Sequence, residues 1–199
     1  AMTIDHEAWA LVGSSIHGRV LLVTKGNMYL ETALRLQSNV ELFETTPDKY
    51  SNIGNNYDLT VFDGYAPPIL PSSNLLFLNP PNKSYSFGTS GALTTVSHIS
   101  AGNDTLSLLK DVDLSSIHTL RASHQLKPSL WAQAIITSPE APLLLAGENN
   151  NQRIAVFGFD LHETNLPLES SFPILMLNMM NWFLPSPVAG NGQVSAGVP

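Results

Sequence analysis

The chain has 199 residues, enough for one domain with a full core. Its charged fraction is 13%, about half the ~25% usual in soluble domains, and Asn, Ser and Thr take the place of the missing charges. A formal charge of -7 without any Lys/Arg cluster excludes an electrostatic footprint for nucleic acid or for an anionic membrane surface.

The sequence contains no cysteine, so disulfides, thiolate metal sites and thiol nucleophiles are excluded together. Ala1–Ala10 shows no basic region followed by an apolar core, so it does not read as a secretory signal. Ala1 ahead of Met2 is not a natural start, and the natural chain is expected to continue on both sides. The longest apolar stretch, Phe172–Leu184, is broken by Asn178 and Asn181. It falls short of the roughly 17–25 residues of a bilayer span, so direct membrane insertion by this segment is not expected.

In chain order, Arg19–Lys25 is a run of apolar β-formers closed by Gly26-Asn27, which predicts a buried strand ending at a turn. Met28–Gln37 follows with approximately helical spacing and Asn27 as its N-cap. Val40–Thr46, Leu59–Phe62 and Leu75–Leu78 read as further strands. Strands apolar on both faces belong to a parallel sheet covered by helices, and the β-α-β opening predicts a doubly wound α/β fold.

Ser84–Gly91 reads as a loop and Ala92–Ser100 as β-like. Leu106–Val112 is expected as a short helix capped by Asp104, followed by a strand over Ile117–Ala122. Trp131–Thr137, Pro142–Gly147 and Arg153–Phe159 read as strands, with a tight hairpin turn at Glu148–Gln152. Such consecutive strands predict antiparallel pairing at one side of the sheet. Leu161–Ser171 reads as a loop and Phe172–Leu184 as a last helix buried on most sides, with Trp131 and Trp182 in the core. The Gly/Ser/Pro-rich tail 186–199 reads as a linker.

Three segments in combination carry a resemblance. They are Arg19–Asn27 running into Tyr29-Leu30-Glu31; Val61-Phe62-Asp63-Gly64 with Asn79-Pro80-Pro81; and Phe159-Asp160-Leu161-His162 through Asn165–Leu168 to Phe172–Leu175 and Asn181-Trp182. Together they resemble the class I glutamine amidotransferase-like domain of bacterial membrane proteins with a BatA-like anchor and a von Willebrand factor A (VWA) module. The resemblance spans roughly residues 5–185. It implies a flavodoxin-like three-layer α/β sandwich, mostly parallel with antiparallel strands at one side, over residues 16–185. It also implies that residues 1–15 end a preceding module, that a membrane helix lies beyond this segment, and that placement is extracytoplasmic. The implied partners are proteins, including the VWA module of the same chain.

A true class I amidotransferase places a cysteine at a strand-to-helix elbow and a histidine with a carboxylate after a late strand. His162 and Glu163 stand in the latter position. The fourth strand instead runs into Asn79-Pro80-Pro81, which offers no nucleophile. Gly88-Thr89-Ser90-Gly91 is the nearest serine candidate, yet it lacks the G-x-S-x-G spacing and reads more simply as a solvated turn.

Asp63 and Asp160 both end apolar strands, so a parallel sheet would bring them to its carboxyl edge, where α/β ligand sites form. With His162 they could hold a divalent cation; the plainer reading is that each caps a loop by accepting backbone N–H groups. Gly26-Asn27 at a helix N-terminus could receive an anion, but one glycine is no nucleotide fingerprint. His6, His17, His98, His118 and His124 never recur at helical metal spacing, and no metal or cofactor is expected. Gly26, Asn27, Asp63, Asn79, Asp160 and His162 thus mark the expected ligand or partner edge, with Glu163–Leu168 as the loop above it. The function expected is a non-catalytic binding or scaffolding domain. The alternatives are a hydrolase-like or metal-dependent enzyme built on His162 with Asp63 or Asp160, and a structural spacer between a VWA module and a membrane helix.

Overall fold

The computed structural model describes residues 17–52, 56–118 and 120–184. The expected segments 1–15 and 186–199 lie outside the described residues. Gly18–Val23 (β1), Met28–Arg35 (α1) and Val40–Thr45 (β2) form the opening β-α-β unit, with β1 and β2 parallel. Leu59–Asp63 (β3) and Asn74–Leu78 (β4) extend the sheet on the other side of β1. The remaining strands are Lys83–Tyr85 (β5), Gly88–Thr95 (β6), Ser100–Ala101 (β7), Ala122–Pro128 (β8), Ala132–Thr137 (β9), Pro142–Asn149 (β10) and Gln152–Phe157 (β11). Ser171–Phe183 (α2) is the last helix.

The main sheet runs β2-β1-β3-β4-β11-β10-β9-β7. From β2 to β11 every pairing is parallel, and from β11 to β7 every pairing is antiparallel. The parallel half has the flavodoxin-like strand order, in which chain direction across the sheet reverses between β1 and β3. The fold is therefore a mostly parallel α/β sandwich with antiparallel strands at one side.

Alternation along the strands divides the core into two layers. Val20, Leu22, Val61, Leu76, Leu78, Ala155 and Phe157 face α1 and α2. Leu21, Val23, Phe62, Leu75, Phe77 and Val156 face the opposite way. No helix longer than a single 3-10 turn covers that second face among the described residues. A small antiparallel sheet, β5-β6-β8, forms the third layer instead. Phe77 joins it to the main sheet, with ring centroids 5.2 Å from both Phe62 and Phe87, while Tyr85 stacks on Phe87 at 4.7 Å. Aromatic packing here does what a helix's apolar stripe would otherwise do.

Several local expectations are corrected. Ser84–Gly91 is not a loop but the hairpin between β5 and β6, with Tyr85 opposite Gly88. Polarity hid it, because this strand pair shows one edge to water and buries Phe87 and Ser90 by tertiary contact. Leu106–Val112 is not a helix. Asp104 does cap the amides of Leu108 and Leu109, but Ser107 and Asp111 sit at φ +58° and +60°, which breaks helical continuity. Side-chain bonds from Asn178 of α2 to the carbonyls of Leu108 and Lys110 hold this irregular segment.

The strand expected over Ile117–Ala122 begins only at Ala122, because Ile117 follows a 3-10 turn at Leu114–Ser116. The β-like stretch Ala92–Ser100 splits between the end of β6 and β7. The hairpin turn tightens to Asn150-Asn151, at φ +50° and +64°, between paired Asn149 and Gln152. Both central residues at positive φ match the type I′ turn that suits strand twist. Leu161–Ser171 carries two 3-10 turns, at Leu161–Glu163 and Leu166–Leu168. Trp131 and Trp182 are half-buried at opposite core margins.

Candidate functional site

The carboxyl ends of β1, β3, β4 and β11 lie side by side. They carry Thr24, Asp63, Asn79 and Asp160 respectively, the last after the short extension Gly158-Phe159. Doubly wound folds bind ligands along this edge, at the point where strand order reverses, because helix N-termini and loops open there. Here that point lies between β1 and β3, and therefore between Asn27 and Asp63.

Asp63 organises the β1–β3 part of the edge. Its Oδ2 accepts a hydrogen bond from Thr24 Oγ1 at 2.7 Å and another from Asn27 Nδ2 at 3.3 Å. Asn27, only 1% exposed, performs three tasks. Its Oδ1 accepts from Leu30 N, capping α1; its backbone N–H donates to Glu31 Oε1; and its amide holds Asp63. Gly26, at φ +120°, turns the chain so that its N–H reaches Thr24 Oγ1 at 3.0 Å. Burial pushes the Asp63 carboxyl above the usual carboxylate range. The bonds from Thr24 and Asn27 oppose that shift, the nearby Asp160 charge adds to it and His162 opposes it. Asp63, Asp160 and His162 thus feel one another across the edge.

Asp160 caps the 3-10 turn at Leu161–Glu163. Its Oδ1 accepts from the backbone N–H of His162 at 2.9 Å and from His162 Nδ1 at 2.7 Å. Because Nδ1 donates to the carboxylate, the other ring nitrogen, Nε2, is left as the acceptor of neutral His162. The His162 ring packs against Tyr29 of α1, centroid to centroid 5.5 Å. Glu163, beside it, is exposed to solvent. Asp160 thus accepts a backbone amide as a loop cap does, whereas Asp63 is held by the side chains of Thr24 and Asn27 rather than by backbone N–H groups.

Asn79 occupies the elbow at the end of β4, at φ +48°. Its N–H donates to the carbonyl of Phe157, and Gly64 N–H donates to Leu78, which locks the elbow between β3 and β11. Asn tolerates left-handed backbone better than most residues. The turn at Asn79 leads through Pro80-Pro81 into β5 and places an amide side chain at the end of β4.

The serine alternative fails on placement. Ser90 is 0% exposed, lies on β6 beneath the second face, and its Oγ donates to the carbonyl of Pro80. Among the described residues no group of three or more His, Asp and Glu side chains is placed to hold a metal ion. His6 lies outside the described residues, and His124 bonds the carbonyl of Gly91 through Nδ1 at 2.6 Å. His98 and His118, separated in sequence, line one cavity of about 350 Å³. Thr24 and Tyr29 belong to the edge but were not singled out from the sequence. A polar residue closing an apolar strand marks Thr24, whereas only the packing of α1 against the Asp160 turn identifies Tyr29.

No protein-family model matches the chain, and no curated protein matches it in sequence. The fold does have solved counterparts. Cytoplasmic Protein STM3548 from Salmonella typhimurium superimposes with TM-score 0.62 at 12% identity, covering 83% of this chain and 98% of its own. Cytoplasmic Protein STM1381 from Salmonella typhimurium LT2 gives 0.61 at 10%, covering 82% and 98%. A ThuA-like protein from Bacteroides uniformis gives 0.57 at 11%, covering 94% and 98%. Identities this low speak to architecture alone. The ThuA-like neighbours have a glutamine amidotransferase-like fold, and this chain shares that fold.

Proposed function

We propose that this chain is a non-catalytic binding or scaffolding domain on an amidotransferase-like fold, carried by a membrane-anchored VWA-type protein and placed outside the cytoplasm. The observation that carries the non-catalytic part is Asn79 at φ +48° on the elbow after β4. An amide nitrogen there cannot form the acyl intermediate that a thiolate or alkoxide would form. The VWA association, the anchor and the extracytoplasmic placement rest on the resemblance of the sequence motifs. No described helix is long and apolar enough to cross a membrane.

The purified domain is expected to release no ammonia from glutamine above a buffer control. Mixed with the separately expressed VWA module, it is expected to give a saturable calorimetric signal. Ammonia release abolished by replacing one hydroxyl side chain would overturn the non-catalytic reading. Absence of binding to the VWA module would favour the spacer reading.

A second reading has one observation in its favour. The Asp160–His162 pair presents an imidazole oriented by a carboxylate, beside the half-buried carboxyl of Asp63. That is an imidazole oriented by one carboxylate and close to a second whose pKa burial raises, a pairing that acid–base chemistry can use. Turnover of any substrate with a bell-shaped pH profile lost in His162→Gln would promote this reading over the first.

A further inference from the structure

The helix face has a groove that the edge alone does not account for. A cleft of about 260 Å³ runs between α1 and the start of α2, lined by Met28, Tyr29, Leu36, Pro167, Phe172 and Pro173 among others. Met28 and Leu36, on its α1 wall, are 71% and 72% exposed, and Leu168, next to Pro167, is 74% exposed. Large aliphatic side chains so open to water are ordinary singly but informative when they gather at one cleft. α2 itself carries no charged residue along its whole length.

The charges stand at one end. Asp160, Glu163 and Glu169 all lie on the segment that leads into α2, with no Lys or Arg among residues 160–170. Tyr29 joins the two regions, since its ring lines the cleft and also contacts His162, which is bonded to Asp160. On α1, Arg35 is already paired with Glu44, and Glu31 accepts from the backbone N–H of Asn27. The cleft is thus lined mostly by apolar side chains, and the acidic segment 160–169 adjoins it through Tyr29 and His162.

We propose that this cleft docks a segment of a partner protein that presents an aliphatic anchor and, beside it, a Lys or Arg whose cation meets Asp160. This rests on the binding reading above and adds to it the face and the chemistry of the partner. Apolar anchors supply affinity at such a surface, while the charge at its end selects partners and register.

The test uses two capped amphipathic peptides that present leucines at i and i+4, one ending in a lysine pair and the other in a glutamate pair. Each is titrated into isotope-labelled protein and followed by NMR. The lysine peptide is expected to shift Met28, Tyr29, Leu36 and His162 saturably, and the glutamate peptide to bind at least about tenfold more weakly. The exposed-site double variant Met28→Glu/Leu36→Glu should abolish the shifts, and Asp160→Asn should erase the advantage of lysine over glutamate. Equal binding of both peptides, shifts elsewhere, or no shifts at millimolar peptide would overturn the proposal. Shifts at Met28 and Leu36 on concentrating the protein alone would overturn it too, by assigning the face to a second copy. If the double variant still binds the VWA module, the cleft is not that interface, and the binding reading survives without it.

Discussion

Asn27 links secondary structure to the candidate site, and its replacement separates two contributions that usually merge. Removing the side chain in Asn27→Ala deletes the cap of α1, worth about 1 kcal/mol. It also removes the Asn27 amide donor from the Asp63 carboxyl, a bond to a charged group worth about 1.5 kcal/mol at its long 3.3 Å separation. The loss expected is about 2.5 kcal/mol, a large share of the stability of a domain of this size. Asn27→Ser keeps a capping hydroxyl but cannot reach Asp63, so it should lose only about 1.5 kcal/mol. Urea denaturation followed by circular dichroism reads both values, provided that the slope is unchanged. A loss below about 0.5 kcal/mol in Asn27→Ala would refute the bridging role assigned to this residue. Equal losses in the Ala and Ser variants would refute the capping contribution.

Asp63→Asn tests the half-buried carboxyl. Burial raises its folded pKa above the unfolded value, so the wild type gains from protonation at low pH and loses that gain as pH rises through the folded pKa. Asp63→Asn should therefore gain on the wild type as pH rises through and above the carboxylate range; an advantage growing toward acid pH instead would contradict the assignment. Phe77→Ala removes a fully buried ring that joins the main sheet to the β5-β6-β8 layer. It should cost about 4 kcal/mol, and a cost under about 1 kcal/mol would mean that the aromatic wedge does not hold the third layer.

The parallel half of the sheet was legible because it is driven by local apolar runs. Val20–Thr24 within the first run, Leu59–Phe62 and Leu75–Leu78 are buried on both faces, so each reads as a strand without knowledge of its neighbours. The cap at Asn27 and the presence of a hairpin turn within Glu148–Gln152 were legible for the same reason, since their chemistry acts within a few residues. The middle of the chain was not. β5 and β6 are polar on one side and become strands only because Phe87 reaches Phe77 on a distant strand. Leu106–Val112 has helical composition, but Asn178 of α2 claims its carbonyls.

The candidate site divides along the same line. The sequence by itself determined the absence of a thiol and the amide after β4, and it placed Asp160 and His162 two residues apart on one loop while leaving open which aspartate meets the imidazole. Only the tertiary structure decided that Thr24, Asn27 and Asp63 form one cluster, that Ser90 is sealed beneath the second face, and that Tyr29 stands between the acidic edge and the apolar cleft. Hydrogen-bonding chemistry and backbone preference are written into neighbouring residues, whereas proximity across a sheet depends on strand order, which no local stretch of the chain encodes.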